Sequence, residues 1–294
     1  MHYPRSASAL QHAGRGRRAA RILRMIPSLH EAAADVLLIC DPAEKCARTA
    51  ALQLARATGR LEVVPGPDDP EPLRAPGRPS RPVLVAPEHL RPRKPATPEG
   101  HAALIHAIAH IEFNAINLAL DCVARYRSFP DAFHDGWLKV AAEEAGHFAM
   151  LRGRLRDLGY DYGDFPAHDG LWDMACRSAH DPLVRMALVP RVLEARGLDA
   201  TPVIMGKLRT IGDEATLAIL DIILRDEVGH VALGDYWFRS LCAERGAEPE
   251  ATYLALMNDF DAPWPQPPLH EAARLQAGFT PGEIARLRAG RRGQ

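Results

Sequence analysis

Two tetrapeptides of the same form, Glu144-Ala-Gly-His147 and Glu227-Val-Gly-His230, decide the fold that this chain is expected to adopt. A Glu and a His three positions apart lie on the same face of a helix, close enough to bind one metal ion or a pair. A single Glu-x-x-His is common by chance on a solvated helix face, so the repetition is the informative part. The two copies predict two long helices that carry matching ligand pairs.

A lone glutamate precedes each tetrapeptide by about one helix length. Glu112 lies 32 residues before Glu144, and Glu194 lies 33 residues before Glu227. One Glu from each of two helices, together with a Glu-x-x-His from each of two others, is the ligand set of di-iron and di-manganese helix bundles. We therefore predict a dinuclear metal site with these ligands: Glu112, Glu144, His147, Glu194, Glu227 and His230.

The predicted ligands are expected to divide into three roles. Glu144 and Glu227 each lie one turn from a His on the same helix, which predicts that they bridge the two metals. Glu112 and Glu194 would each complete one metal as terminal ligands, and each His would give one nitrogen to one metal. Carboxylate-rich sites with few imidazoles favour iron or manganese over zinc. The expected cofactor is two Fe ions, with Mn as the alternative.

The competing interpretation places these residues on solvated helix surfaces. Their neighbours in the sequence argue against it, because Glu112 lies between Ile111 and Phe113 and Glu194 follows Val192-Leu193. Several carboxylates that face one another in a core are costly unless a cation or shared protons accompany them. The apolar context therefore favours a buried metal site.

Two acidic residues and two glycines repeat beside the ligands. Glu143 and Asp226 each precede a predicted bridging glutamate, and either can hold the ring N–H of the His from the opposite half; a solvated charge is the alternative. Gly146 and Gly229 each precede a ligand His in mid-helix, where glycine costs about 1 kcal/mol against alanine. The expected reason for these glycines is close packing of the helices, and the alternative is a need for open space beside the metals.

Helix start and stop signals divide the chain. An Asp or Thr cap followed by Pro marks a helix start, and Gly marks many helix ends. A short strand is expected at 82–85, and Pro190 is expected to kink the helix that carries Glu194. The predicted helices are 28–37, 42–57, 98 to near 129, 131–158, one from 171, 182–197, 202–211, 213–245 and two or three short ones, the last capped by Thr280.

These signals predict an all-α protein, a ferritin-like four-helix bundle with additional N- and C-terminal helices. A basic arm without fixed structure is expected at 1–24, and Met25 is an alternative start. N-terminal helices and a Pro-rich wrapping segment follow at 25–97. The bundle with its dinuclear site takes 98–246, and short helices and a tail take 247–294.

Composition limits the function classes. A hydrophobic content of 47% and a charged content of 25% are ordinary for a soluble globular protein. The formal net charge of −1 gives no reason to expect nucleic acid or an anionic membrane as a partner. Charges interrupt the apolar runs before about 18 residues, so no transmembrane helix is expected. The 5 dispersed cysteines indicate reduced thiols and a cytoplasmic location.

Five longer stretches carry a likeness to a known family: His106–Ile116, Ala141–Phe148, Tyr162–Trp172, Met186–Asp199 and Arg225–His230. They resemble a bacterial domain family of unknown function within the ferritin-like superfamily, over roughly 27–285. The resemblance implies a ferritin-like bundle with a dinuclear site built from the same ligands. More distantly, the layout is similar to tRNA-modifying diiron hydroxylases and to rubrerythrin-like proteins.

The expected function is a dinuclear iron oxidoreductase that uses dioxygen or peroxide to oxidise or hydroxylate a small-molecule substrate. One alternative is metal binding or peroxide scavenging without an organic substrate. Another is a tRNA-directed hydroxylase, which the net charge disfavours. The loop 160–172 and the segment 60–97 are candidates to cover the entrance, with His168 and His180 at its edge. The electron donor and the substrate stay open, and a homodimer is one assembly to consider.

Overall fold

The computed structural model describes residues 27–69, 75–91 and 93–290. Within these ranges the protein is all-α, as the sequence predicts, and contains no β-strand. The basic arm at 1–24, the alternative start at Met25 and the last four residues lie outside the described residues.

The described helices follow the cap signals closely. Asp41, Thr97 and Thr280 each accept a hydrogen bond from a backbone N–H of the first turn, and each is followed by Pro. A π-helical turn, Val189–Glu194, joins α6 to α7. The helices are α1 (Leu29–Leu37), α2 (Pro42–Ala57), α3 (Pro98–Arg125), α4 (Asp131–Asp157), α5 (Gly170–Arg177), α6 (Pro182–Leu188), α7 (Ala195–Thr210), α8 (Glu214–Glu244), α9 (Pro249–Asp259), α10 (Glu271–Gln276) and α11 (Pro281–Ala289).

The bundle consists of two helix pairs. α3 packs along α4 and α7 packs along α8, and the pairs meet where α4 lies against α8. α4 and α8 run antiparallel, because His147 contacts Asp226 whereas Arg154, near the end of α4, contacts Asp213 at the start of α8. α1 and α2 cover the first pair, while α9 and α10 pack on the second. Apolar stripes on these helices are buried between them.

α3 is the most apolar helix of the bundle. It is long and apolar enough to cross a membrane, but 78% of its most apolar window is buried inside the protein. Ile105, Phe113, Ile116 and Leu120 all lie in the core. This is the burial expected of a central helix in a bundle.

Two predicted helix ends are wrong. α3 ends at Arg125, before the expected end near Phe129. The predicted break at Gly197 is absent, because α7 continues through Gly197 and Pro202. Its buried side chains pack against α8, and this packing outweighs the local cost of glycine and proline in a helix. Those side chains are Ala195, Leu198, Met205 and Leu208.

The predicted strand at 82–85 is a single β-bridge. Leu84 pairs with Ala167, so that the Val85 N–H donates to the Ala167 carbonyl at 2.8 Å and the Ala167 N–H donates to the Val83 carbonyl at 3.1 Å. Arg78 forms a two-pronged ion pair with Asp169 nearby. The Pro-rich segment is therefore fastened to the loop that follows α4.

Pro190 lies inside the π-helical turn and sits directly against α8. A Cβ atom at Gly234 would come within 2.3 Å of the Cβ and Cγ of Pro190, so only glycine fits there. π-Helical turns are rare and often occur at functional sites. Here the turn ends at Glu194, one of the predicted ligands.

We expect Gly234→Ala to lower the free energy of unfolding by about 1–3 kcal/mol, since the new methyl group overpacks the contact with Pro190. Gly153→Ala is the matched control, because Gly153 lies on an exposed face of α4 with nothing within 4 Å of an added Cβ. The control should raise stability by about 1 kcal/mol. Urea denaturation measures both, and equal changes in the two variants would contradict the close approach.

Candidate metal centre

Three of the predicted ligand-bearing elements are regular helices, as the sequence predicts, whereas Glu194 lies in a π-helical turn and not in the expected continuous helix over 182–197. α3 carries Glu112, the π-helical turn carries Glu194, and α4 and α8 each carry one Glu-x-x-His pair. Two groups of donor atoms form, and within each group the atoms lie within 4.8 Å of one another. The groups are Glu112–Glu144–His147 and Glu144–Glu227–His230, and all of these residues are buried.

Glu144 is common to both groups and lies between the two imidazoles. Its Oε2 is 3.3 Å from Nδ1 of His147, and its Oε1 is 2.9 Å from Nδ1 of His230. The side chain is fully buried. One carboxylate that presents one oxygen to each half has the geometry of a bridging ligand. Glu227, which the sequence assigns the same role, belongs to the second group alone and is 3.9 Å from His230.

Glu194 lies outside both groups but belongs to the same charge cluster. Its Oε2 is buried and has no hydrogen-bond partner among the described residues. Burial and the negative charge of Glu144 raise the pKa of Glu194 to about 7. The electrostatic influence of Glu144 places Glu194 near the site, without bringing its oxygens into the tighter groups.

Each imidazole spans two carboxylates from different helices. Nε2 of His147 is 3.2 Å from Asp226 on α8, and Nε2 of His230 is 3.0 Å from Glu143 on α4. Both cross-half contacts are the ones that the sequence predicts for these acidic residues. The outer carboxylates lie 20–29% exposed, so each ligand His links the buried cluster to the protein surface.

The proton count of these rings calls for either a second proton or a cation. A neutral imidazole carries one proton, and donation of that proton to an outer carboxylate leaves Nδ1 with a lone pair. That lone pair then faces a carboxylate oxygen of Glu144, and for His230 the two atoms are not aligned as a hydrogen bond. Two facing lone pairs repel unless a second proton or a metal ion lies between them. Four buried atoms at the site have no hydrogen-bond partner among the described residues and need such a proton or metal ion: Glu144 Oε1, Glu194 Oε2, Glu227 Oε2 and His230 Nδ1.

The protonation states follow from the same geometry. Burial and the charge of Glu144 raise the pKa of Glu112 to about 8. Burial alone would raise the pKa of Glu144, but the two histidines outweigh it and hold that pKa well below its usual range. Burial would lower the pKa of His147, but its contacts with Glu112 and Glu144 raise it to about 11. Without a metal, the cluster therefore retains protons at neutral pH.

The glycines beside the histidines do not serve close packing, so that expectation is wrong. Gly146 and Gly229 are both exposed, and nothing lies within 4 Å of an added Cβ at either position. Adjacent residues on a helix are about 100° apart, so a residue next to an inward His faces away from it. The open space lies on the outer surface of α4 and α8.

A buried tyrosine beside the site has no signal in the sequence pattern. Tyr162 lies in the loop after α4, and its ring packs against Phe113 and Phe148, the neighbours in sequence of Glu112 and His147. Its hydroxyl lies 2.8 Å from Nδ1 of His110. His110 is hydrogen-bonded and belongs to neither ligand group. The ring contacts bring the predicted covering loop against residues that neighbour the first group in the sequence.

The two histidines that are predicted at the edge of the entrance, His168 and His180, lie in different parts of the structure. The backbone carbonyl of His168 lies 3.0 Å from Nε2 of His110, which holds the covering loop on α3. His180 stacks on Phe260 at a ring-centroid distance of 6.3 Å. His168 is therefore part of the cover, whereas His180 packs against the segment that follows α9.

Comparison with known proteins assigns the chain to a family. A family model described as "Protein of unknown function (DUF455)" matches residues 38–285. The chain belongs to this family. An uncharacterized protein of Haemophilus influenzae is 49% identical over 213 residues, which are 70% of this chain and 74% of the relative. No solved structure matches the chain. A family of unknown function, which the motifs indicate, is thus confirmed, and the activity has to be argued from the geometry of the site.

Metal affinity should rise with pH. Metal ions bind the deprotonated ligands, and raised pKa values of about 8 for Glu112 and about 7 for Glu194 mean that both carry protons at low pH. Between about pH 6 and about pH 9 these protons are lost, so the metal competes with fewer of them. Calorimetry with Mn(II) in buffers of different ionisation enthalpy measures the affinity and the protons released. A pH-independent affinity with no proton release would contradict these protonation states.

Asp226→Ala and Glu143→Ala should each weaken Mn(II) binding by about 10–100-fold, since the ligand His loses the acceptor that fixes its Nε2 proton. Asp221→Ala is the control, because Asp221 is an exposed carboxylate on the same helix as Asp226. Titration at one pH compares the three variants. If Asp221→Ala weakens binding as much as the other two variants, the cause is the loss of negative surface charge and not the loss of the contact that positions the His ring.

Proposed function

We propose that this protein is a dinuclear iron carboxylate oxidoreductase with a ferritin-like bundle. It would use dioxygen or peroxide to oxidise or hydroxylate a small-molecule substrate, and manganese is the alternative metal. The observation that carries the proposal is the position of Glu144, which presents one carboxylate oxygen to each of two ligand imidazoles. A carboxylate in this position suits two cations, one on each side.

The donor set fits a pair of hard or borderline cations. One metal would be held by Glu112, Glu144 and His147, and the other by Glu144, Glu227 and His230. Glu194, whose carboxyl group interacts electrostatically with Glu144 and His230, would add a terminal oxygen to the second. Oxygen-rich sites with one imidazole for each metal suit iron and manganese. When bound, the metals would supply one-electron redox chemistry and a binding place for dioxygen or peroxide.

The surrounding residues orient the ligands and keep water out. Asp226 and Glu143 hold the Nε2 protons, so that both Nδ1 atoms stay directed at the cluster. On the α3 and α4 side, the rings of Phe113, Phe148 and Tyr162 form an apolar cover. A dry, closed site strengthens electrostatic interactions and limits side reactions.

A peroxide-scavenging or metal-binding role without an organic substrate is the second candidate. The burial of Glu112, Glu144 and both histidines favours it, because a closed site admits a small oxidant more readily than a large substrate. A tRNA-directed hydroxylase gains no support from the net charge of −1. No disulfide joins the described cysteines, which supports a cytoplasmic location.

Protein purified without chelator should contain iron or manganese. Anaerobic loading with ferrous ions should give about two per chain, and exposure to air should produce the absorption of an oxo-bridged ferric pair. Glu144→Gln should lose the dinuclear stoichiometry, because the shared ligand loses its charge. Glu214→Gln is the control, since Glu214 is exposed at the start of α8.

Three results would count against this function. Two tightly held metals per chain in Glu144→Gln would remove the bridging assignment. No metal uptake by the wild-type protein, or a single tightly held zinc, would remove the redox chemistry altogether. Iron oxidation by peroxide with no organic compound ever consumed would favour the scavenging role.

A further inference from the structure

An exposed tyrosine and a nearly buried tryptophan stand next to each other on α8. Tyr236 is 60% exposed, whereas Trp237 is 9% exposed. Their ring centroids are 5.0 Å apart and the ring planes are nearly perpendicular, an edge-to-face contact. The pair therefore links the protein surface to the interior with two oxidisable rings in contact.

Trp237 lies on the same helix as two of the proposed metal ligands. It follows His230 by seven residues, which is two helical turns, and so it lies on the same side of α8 at about 10 Å along the axis. Its ring packs against Phe129 and Phe133 at centroid distances of 5.7 and 5.3 Å. Its indole Nε1 is buried without a hydrogen-bond partner among the described residues. Apolar rings thus surround an indole two turns from the site.

We propose that Trp237 and Tyr236 carry single electrons between the metal site and the protein surface, an inference that rests on the proposed redox function. Indole and phenol are the side chains that give up one electron most readily. The axial rise of about 10 Å from His230 to Trp237 and the 5.0 Å contact between the Trp237 and Tyr236 rings suit two successive single-electron steps. This route lets a reductant act on a buried site without entering it.

The electron balance of the route is simple. The oxidant is the dinuclear iron site after treatment with peroxide or dioxygen. Trp237 gives it one electron and becomes an indole cation radical. Tyr236 gives one electron to that radical, which restores the indole, and releases its phenolic proton to solvent. The neutral tyrosyl radical then takes one electron and one proton from an external small-molecule one-electron reductant such as ascorbate.

Other aromatic side chains near the site lack the connection to the surface. Trp137 precedes Glu144 by seven residues on α4, but it is buried and its described ring contact is with buried Phe133. Tyr162 is also buried, and its hydroxyl is hydrogen-bonded to His110. These two residues therefore serve as comparisons for Trp237 and Tyr236.

The test is rapid-freeze electron paramagnetic resonance after ferrous-loaded protein is mixed with peroxide. The wild-type protein should show a tyrosyl radical. Tyr236→Phe removes only an exposed hydroxyl, and it should lose that radical and accumulate a tryptophan radical. Trp237→Phe should reduce the yield of the Tyr236 radical at least tenfold. Tyr162→Phe is the matched control and should leave the signal unchanged.

Iron content and the ferric absorption of each variant separate two kinds of failure. If the wild-type protein binds no iron, or the iron is not oxidised, the proposed function fails. If the iron is oxidised but the radical survives in Tyr236→Phe, or disappears in Tyr162→Phe, only the electron route is overturned. A wild-type protein that oxidises its iron and forms no protein radical also overturns the route.

Discussion

The structure depends on how a cluster of buried carboxylates is neutralised. Glu112, Glu144 and Glu227 lie in the centre of the bundle with two imidazoles, and burial raises the pKa values of Glu112 and Glu227. Uncompensated buried charges cost several kcal/mol each. In the absence of metal, retained protons lower this cost. A pair of divalent cations would replace those protons and satisfy the orphaned oxygens at the same time.

Several buried arginines elsewhere in the described residues have a carboxylate partner. Arg185 pairs with Asp121 at 2.8 Å, and Arg274 pairs with Asp199 at 2.6 Å. Arg191 is fully buried between Asp235 and Glu283 and holds α11 on the bundle. In those networks guanidinium groups compensate the carboxylates. At the site no Lys or Arg pairs with the inner carboxylates in the described ion pairs, which is why an external cation suits it. These arginine–carboxylate networks hold the helices of the bundle together around the site.

The two halves of the bundle place their acidic residues in similar but unequal ways. Glu143 and Asp226 exchange contacts across the α4–α8 interface, each supporting the His of the other half. The lone glutamates differ, because Glu112 lies on a regular helix whereas Glu194 ends a π-helical turn. That turn rests on Gly234 through Pro190. The second half therefore has a backbone irregularity at its lone glutamate, whereas Glu112 in the first half lies on a regular helix.

The sequence alone determined the helical class and most helix starts, and it predicted the ligand set, because caps and ligand spacing act over a few residues. The doubled Glu-x-x-His also indicated the exchange between Glu143 and His230. Only the tertiary structure decided what depends on packing between distant elements. It continued α7 through Gly197 and Pro202, placed Gly146 on the outside, and made Glu144 the shared carboxylate while leaving Glu194 outside the tighter groups. Side-chain distances across helices follow from how helices pack, which local spacing does not encode.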